Sequence, residues 1–384
     1  MYEYNQKSVN DYFSRPKQDI EKETYLRKKK LGEGNFGVAY LIESTLTKIE
    51  YVCKEIVLSN LNKEHEEKTL SEVKILKKCK HPNIISFKEA FITRRPYRAL
   101  HLITEYADCG DLQKKIIENK EKNENFPEKT IINWLVQICL ALKYLKEKMI
   151  IHRDIKPSNI FLTKNGFIKI GDFGISKALN KSQNDTKTNI GTPYYMAPEV
   201  IESYNYDYKA DIWSLGITFF EIITFNLPFD GNSKMGLFRN ITNGFKKMSI
   251  NDNMSIYSDE LINIVKKMYS SDPYKRPTID EILSVPIIYK EYEEFMKINK
   301  SEYDKYNINL DIKDNLYNLH KKNIKDSLIT IKEDENESQN VSKYDNVAEI
   351  NDYNPSFKVY NNTEISKYED TIFNKINSRT QPYD

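Results

Sequence analysis

The sequence predicts an α+β protein in two lobes, a small strand-rich lobe with one key helix followed by a larger helical lobe. Three observations predict it. Short runs rich in β-branched and aromatic residues, punctuated by glycine and charged turns, occupy the chain up to Glu105. One segment with helical periodicity interrupts them, and long apolar helical segments dominate from Tyr106 onward.

Residues 1–24 show no hydrophobic periodicity and are expected to be a flexible lead-in, after which the basic run Arg27 to Lys30 reads as a solvated strand face. From Leu31 the chain reads as strand, glycine-rich loop, a second strand over Ala39 to Ile42, and a third over Tyr51 to Val57. Between Lys63 and Lys78, Leu70, Val73 and Leu76 recur every three residues among charges, which places them on one helical face. Two more strands, around Ser86 to Thr93 and Ala99 to Glu105, are joined by the basic connection Arg94 to Arg98. The lobe boundary follows, giving an N-terminal lobe over 25–105 and a C-terminal lobe over 106–289. Ile131 to Leu145 reads as a long apolar helix and Asp211 to Thr224 as a buried one, with helical signals continuing to about Tyr289. Residues 290–384 are rich in Asn, Lys, Asp, Glu and Tyr and are expected to be a polar, mostly disordered tail. Within it Leu310, Leu316, Leu319, Ile324 and Leu328 are candidates for a short helix that self-associates or binds a partner, although their irregular spacing favours a solvated tail.

Composition narrows the classes. Hydrophobic residues make up 39% of the 384, enough for a core, while 30% charged residues point to a polar portion that dilutes it. A net charge of +2 argues against a dedicated nucleic-acid binder. No apolar run approaches the ~18 residues of a membrane span, so a soluble protein without a membrane partner is expected. Cys53, Cys79, Cys109 and Cys139 stand singly, with no CxxC pair or metal-ligand spacing, and are expected to be reduced structural thiols of a cytosolic or nuclear protein.

The chemistry lies in a series of motifs. Gly32-Glu33-Gly34-Asn35-Phe36-Gly37 sits between two strands, where absent side chains let backbone amides approach phosphate oxygens; alone, such a run also occurs in ordinary turns. Lys54 on the third strand and Glu72 on the following helix supply a cation for α- and β-phosphates and a carboxylate to hold it, though either could pass for a surface charge. His152-Arg153-Asp154-Ile155-Lys156-Pro157-Ser158-Asn159, followed by Asp172-Phe173-Gly174, decides between these readings. In this pattern Asp154 accepts or orients the proton of an incoming hydroxyl, Lys156 steadies a γ-phosphate, and Asn159 and Asp172 offer oxygen ligands to Mg²⁺.

With these motifs the sequence resembles the eukaryotic protein kinases over about Tyr25 to Tyr289. The resemblance implies the bilobal protein-kinase fold, ATP and Mg²⁺ as cofactors with Mn²⁺ as a substitute, and protein substrates. It also implies architectural roles for Ala197-Pro198-Glu199, for Asp211 at the head of the buried helix, and for Arg276 as the partner of Glu199. Leu76, Phe87, His152 and Phe173 occupy positions that stack between the lobes in such kinases. Lys156, with Gly191-Thr192 ahead of Pro193-Tyr194-Tyr195, is similar to the serine/threonine branch, in which Thr192 contacts the substrate region near the base.

Two further runs, Thr188 to Glu199 and Val52-Cys53-Lys54-Glu55-Ile56, resemble the NIMA-related kinases. Ala39 stands where kinases usually have valine, Val52 where they have alanine, and Phe161 where they have leucine, a trio similar to the NIMA-related adenine site; drift within a tolerant pocket would give the same swaps. The resemblance places Leu31, the glycine loop, Ala39, Val52, Thr104, Glu105, Ala107, Asp111 and Phe161 around ATP. Thr104 becomes a small gatekeeper, Glu105-Tyr106-Ala107 the hinge, and Asp111 a ribose contact. Arg153 implies an activation segment ordered by a phosphate, with Thr188 the leading site, Thr186 and Ser182 the alternatives, and an unmodified polar loop the competing reading. Ile175 implies a preference for threonine over serine. An active kinase of another serine/threonine group and a catalytically silent scaffold are the competing readings; the latter is disfavoured because Lys54, Glu72, Asp154, Asn159 and Asp172 are all present. The family analogy adds cytoskeletal, ciliary or nuclear sites to a cytoplasmic location.

Overall fold

The structure is a computed structural model that describes residues 24–34, 37–59, 61–94, 97–172, 193–202, 207–244, 252–306, 308 and 319. The chain divides into two units, Met1–Ser327 and Leu328–Asp384, and all described residues belong to the first.

The N-terminal lobe is an antiparallel sheet of β1 (Tyr25–Gly34), β2 (Gly37–Ser44), β3 (Glu50–Val57), β4 (Phe87–Thr93) and β5 (Ala99–Glu105), in the order β1-β2-β3-β5-β4. The first strand begins at Tyr25, earlier than the expected Leu31, and so absorbs the basic run. Its exposed charges pair across the sheet, Arg27 with Glu55 at 3.0 Å and Lys28 with Glu43 at 2.8 Å. At the turn of the β1–β2 hairpin Gly37 has φ +151°, and a Cβ there would lie 1.9 Å from the Glu55 carbonyl oxygen, so only glycine lets the strands approach this closely. Helix α1 (Lys63–Lys78) starts where Asn62 Oδ1 accepts the His65 N–H at 2.8 Å, and Val73 and Leu76 of its apolar face are buried as the spacing predicts.

The C-terminal lobe continues through α2 (Leu112–Lys122), α3 (Glu128–Glu147), a two-stranded ribbon of β6 (Ile160–Leu162) and β7 (Ile168–Ile170), and α4 (Pro198–Ile201). It then runs through α5 (Tyr208–Thr224), α6 (Lys234–Thr242), α7 (Asp259–Met268), α8 (Ile279–Leu283) and α9 (Pro286–Asp304). Every residue of α5 from Ala210 to Thr224 is buried, which makes it the pillar of the lobe. The expectation that order fades beyond about Tyr289 is corrected by α9, whose Ile288, Tyr289, Tyr292, Phe295, Met296 and Tyr303 are buried. Their spacing of three, four and seven is a helical stripe, masked in the sequence by the charges between its members. The remaining candidate tail residues, among them Leu310, Leu316, Ile324 and Leu328, lie outside the described residues, and Leu319 is described as helical.

Candidate active site

A cleft of about 320 Å³ opens where the sheet meets α2 and the β6–β7 ribbon. Its roof is the underside of the sheet, with Leu31, Gly32, Ala39 and Val52; its back carries Leu76, Ile85, Leu102 and Thr104; Phe161 lies on its floor. Alternation along β3 places Val52 and Lys54 toward the cleft and Cys53 on the opposite face, buried beside Ile42 and Ile103. Gly171 keeps the floor of the cleft close, since a Cβ there would lie 2.9 Å from Phe161 Cε2 and 3.0 Å from Ile85 Cγ1 and would push one of these side chains aside. The segment linking the lobes, Glu105-Tyr106-Ala107, forms one edge. The Glu105 carboxylate is turned from the cleft, bound to Lys169 at 2.6 Å and to the Ser86 N–H at 2.9 Å. Asp111 lines the cleft and also caps α2, its Oδ1 accepting the Lys114 N–H at 2.9 Å.

The polar end of the cleft is held by the buried helix. Asp211, in the first turn of α5, accepts the backbone N–H groups of His152 and Arg153, each at 2.9 Å. Arg153 takes φ +70° and Asp172 φ +54°, left-handed conformations that cost side-chain-bearing residues about 1–3 kcal/mol each. Such strain persists only where the surroundings over-determine it, and here they do. His152, fully buried, meets the Gly171 carbonyl through Nε2 at 3.1 Å, and the Gly171 N–H donates to the Asn159 carbonyl at 3.0 Å.

Asp154 is 8% exposed, and its Oδ2 accepts from Asn159 Nδ2 and from Lys156 Nζ, both at 2.8 Å. Asn159 Nδ2 also donates to the Asp154 carbonyl at 2.8 Å, so both amide protons are committed and Oδ1 is the atom left to meet a cation. Lys54 Nζ reaches Asp172 Oδ1 at 2.8 Å, and this ammonium holds the Asp172 carboxyl below the usual carboxylate range. Two neighbours act on that carboxyl in opposite senses, Asp154 raising its pKa and Lys156 lowering it, as charges at the same end of the site must. An amide oxygen and an ionised carboxylate are hard donors suited to Mg²⁺, which binds few protein ligands and completes its shell from phosphate and water oxygens.

Of the residues singled out in the sequence, Leu31, Gly32, Ala39, Val52, Lys54, Thr104, Glu105, Ala107, Asp111, Phe161 and Asp172 line this one cleft. Asp154, Lys156 and Asn159 join it through the hydrogen bonds and ion pair just described, whereas Glu33 and Gly37 do not line it; Glu33 pairs instead with Lys30, and Gly34 pairs with Gly37 across the hairpin. Asn35, Phe36, Phe173, Ile175, Thr188 and Thr192 lie outside the described residues, as does the side chain of Glu72, although Glu72 falls on α1. The Arg276 guanidinium grips Glu199 with two bonds of 2.6 and 2.8 Å. Sequence reasoning missed Ile85, Leu102, Gly110, Lys114 and Ser158 as cleft residues. The period-two pattern of β5, in which Leu102 precedes Thr104 on the same face, was the available signal for Leu102.

Residues 25–288 match the family described as protein kinase domain. The chain is 40% identical over 275 residues to the serine/threonine-protein kinase Nek1 of Mus musculus, covering 71% of this chain and 22% of that protein. It is 39% identical over 262 residues to Nek5 of Homo sapiens, covering 68% and 36%, and 38% identical over 264 residues to the probable serine/threonine-protein kinase nek3 of Dictyostelium discoideum, covering 68% and 23%. It thus spans well under half the length of these three relatives. With the sheet over a helical lobe, the cleft between them and the paired Lys54 and Asp172 beside Asp154, the chain belongs to the protein kinase domain family and resembles its NIMA-related serine/threonine branch.

Proposed function

We propose that the protein transfers the γ-phosphoryl group of ATP to serine or threonine hydroxyls of proteins. The observation that carries this reading is Asp154, held by Asn159 and Lys156 at the mouth of a largely apolar cleft that also presents Lys54 and Asp172. Ala39, Val52 and Phe161 would hold the adenine, the backbone of Glu105 and Ala107 would bond its edge, and Asp111 would meet the ribose. Lys54 neutralises the α- and β-phosphates, and the glycine loop from Gly32 to Gly37 covers them. Asn159 Oδ1 and the Asp172 carboxylate hold Mg²⁺, with Mn²⁺ as a substitute, since both cations favour octahedral oxygen donors. When bound, the metal supplies charge neutralisation to the phosphates. Asp154 orients the substrate hydroxyl and takes its proton as the oxygen–phosphorus bond forms and the bond to the ADP oxygen breaks. Lys156 meets the charge on the transferring group.

Thr104 acts as a small gatekeeper, Thr192 and Ile175 contact the acceptor residue with threonine preferred over serine, and phosphorylation of Thr188 orders the segment through Arg153. The substrates are proteins, and self-association or partner binding through the tail beyond α9 stands as the alternative to a solvated tail. Among the described residues no helix is long and apolar enough to cross a membrane; we place the protein in the cytoplasm, with cytoskeletal, ciliary or nuclear pools. The test is a positional-scanning peptide array with labelled ATP and Mg²⁺, run on the wild type, Asp154→Asn and Asp172→Asn. Transfer to Ser/Thr peptides that falls by a factor on the order of 10³ in Asp154→Asn is expected, and wild-type protein that labels no peptide overturns the reading.

A further inference from the structure

Helix α9 carries a side chain that reaches the loop between α1 and β4. Tyr303 lies beyond residue 288, where the family match ends, and is fully buried. Its hydroxyl donates to Asn83 Oδ1, and its ring meets His81 edge-on with centroids 5.4 Å apart. Asn83 is fully buried, and its Nδ2 donates to Gln137 Oε1 and to the Ile168 carbonyl, both at 2.8 Å. Gln137 Oε1 also accepts the Ile168 N–H at 2.8 Å, while its Nε2 donates to Asn133 Oδ1 at 2.8 Å and to the Gly166 carbonyl at 3.0 Å. Every donor and acceptor of the Asn83 and Gln137 amides is therefore used, in a chain that runs one way from the Tyr303 hydroxyl.

One branch of this chain reaches β7 at Ile168. Besides the contacts to Ile168, the Asn83 carbonyl accepts the Ile170 N–H and the Ile85 N–H donates to the Ile170 carbonyl, each at 2.9 Å. Asp172 follows two residues after this strand in its left-handed conformation, which needs fixed neighbours on every side. His152, its backbone held by Asp211, meets the Gly171 carbonyl from the helical lobe, and Asn83 holds Ile168 and Ile170 of β7. Without the tyrosine hydroxyl, the Asn83 Oδ1 is a buried acceptor that has lost the donor it has among the described residues, and the amide is held from one end only, by Gln137 and Ile168.

Resting on the kinase reading above, we propose that Tyr303 is a positioning residue for the metal-binding Asp172, acting through Asn83 and β7 from outside the matched domain. Groups hydrogen-bonded directly to a metal ligand change metal affinity or activity by about 10–100-fold when removed, and Tyr303, acting through Asn83 and β7, is expected at the lower end of that range.

The experiment uses the full chain as wild type, Tyr303→Phe, and Ile298→Ala, an exposed site on the same helix. Binding of a non-hydrolysable ATP analogue is measured by calorimetry with and without Mg²⁺, with peptide kinetics and near-ultraviolet dichroism on the same samples. Tyr303→Phe is expected to lose about tenfold of the Mg²⁺-dependent gain in analogue affinity and about tenfold in kcat, with metal-free analogue affinity and the peptide KM unchanged. Ile298→Ala is expected to match the wild type in every reading. A folded Tyr303→Phe protein with the wild-type gain from Mg²⁺ and the wild-type kcat, differing only in melting temperature, overturns the inference and leaves the kinase reading standing. A wild type that gains nothing from Mg²⁺ overturns the roles given to Asn159 and Asp172, and this inference with them.

Discussion

The upper wall of the cleft is a hydrogen-bonded sheet whose face away from the cleft carries a small buried apolar cluster of Ile42, Cys53 and Ile103, whereas the lower wall rests on α5, in which every residue from Ala210 to Thr224 is buried. The ion pairs follow the same division. Arg98 and Glu66 in the upper lobe pair with the arginine side chain 40% exposed, while Arg276 in the lower lobe is fully enclosed around Glu199. Groups that must keep a fixed mutual geometry, Asp154, Asn159 and Asp172, belong to the lower wall, and the upper wall contributes Lys54. Catalysis by positioning needs one rigid partner and tolerates one that closes over the nucleotide.

Four measurements would break or sharpen this contrast. Arg276→Met is expected to destabilise the protein by about 3–5 kcal/mol in urea unfolding, because Glu199 keeps a largely enclosed charge with its partner gone. Asp211→Asn, which replaces a charged acceptor of two backbone N–H groups, is expected to cost about 2 kcal/mol and to lower kcat more than the KM for ATP.

His81 gives a pH-dependent test of the junction beneath the sheet. Burial, helped by the charge of Lys169, lowers its pKa to about 3, and its Nδ1 accepts the Asn83 N–H at 3.0 Å, a bond that only the neutral ring can make. The unfolded chain takes up this proton below about pH 6.5 while the folded chain resists it, so stability is full at neutral pH and falls as pH drops through that value. The loss attributable to His81 is about 2 kcal/mol between pH 7 and pH 5, and a denaturation series in which His81→Gln keeps the wild-type slope would refute it. The smallest effect belongs to the upper lobe: Arg98→Ala is expected to change stability by no more than about 1 kcal/mol. A loss as large as that of Arg276→Met would erase the distinction between the walls.

Much of this arrangement was legible in the residues. The span of α1 and the span of β5 follow from apolar spacing, and the chemistry of Asp154, Asn159 and Asp172 follows from residue types at short, ordered separations. The Arg276–Glu199 pair was also expected, through the family resemblance. Helix α9 was less legible, because charges separate its buried aromatics and the composition around it is that of a solvated tail.

The sequence alone determined the local periodicities, because each depends on neighbours a few residues apart, and the oxygen and nitrogen groups its motifs carry, because residue type fixes them. Only the tertiary structure decided that Lys54 meets Asp172, that Asp211 holds the backbone of Arg153, and that Tyr303 completes the hydrogen bonds of Asn83. Those contacts join residues 58 to 220 positions apart. Chain packing sets them, and no periodicity along the sequence encodes them.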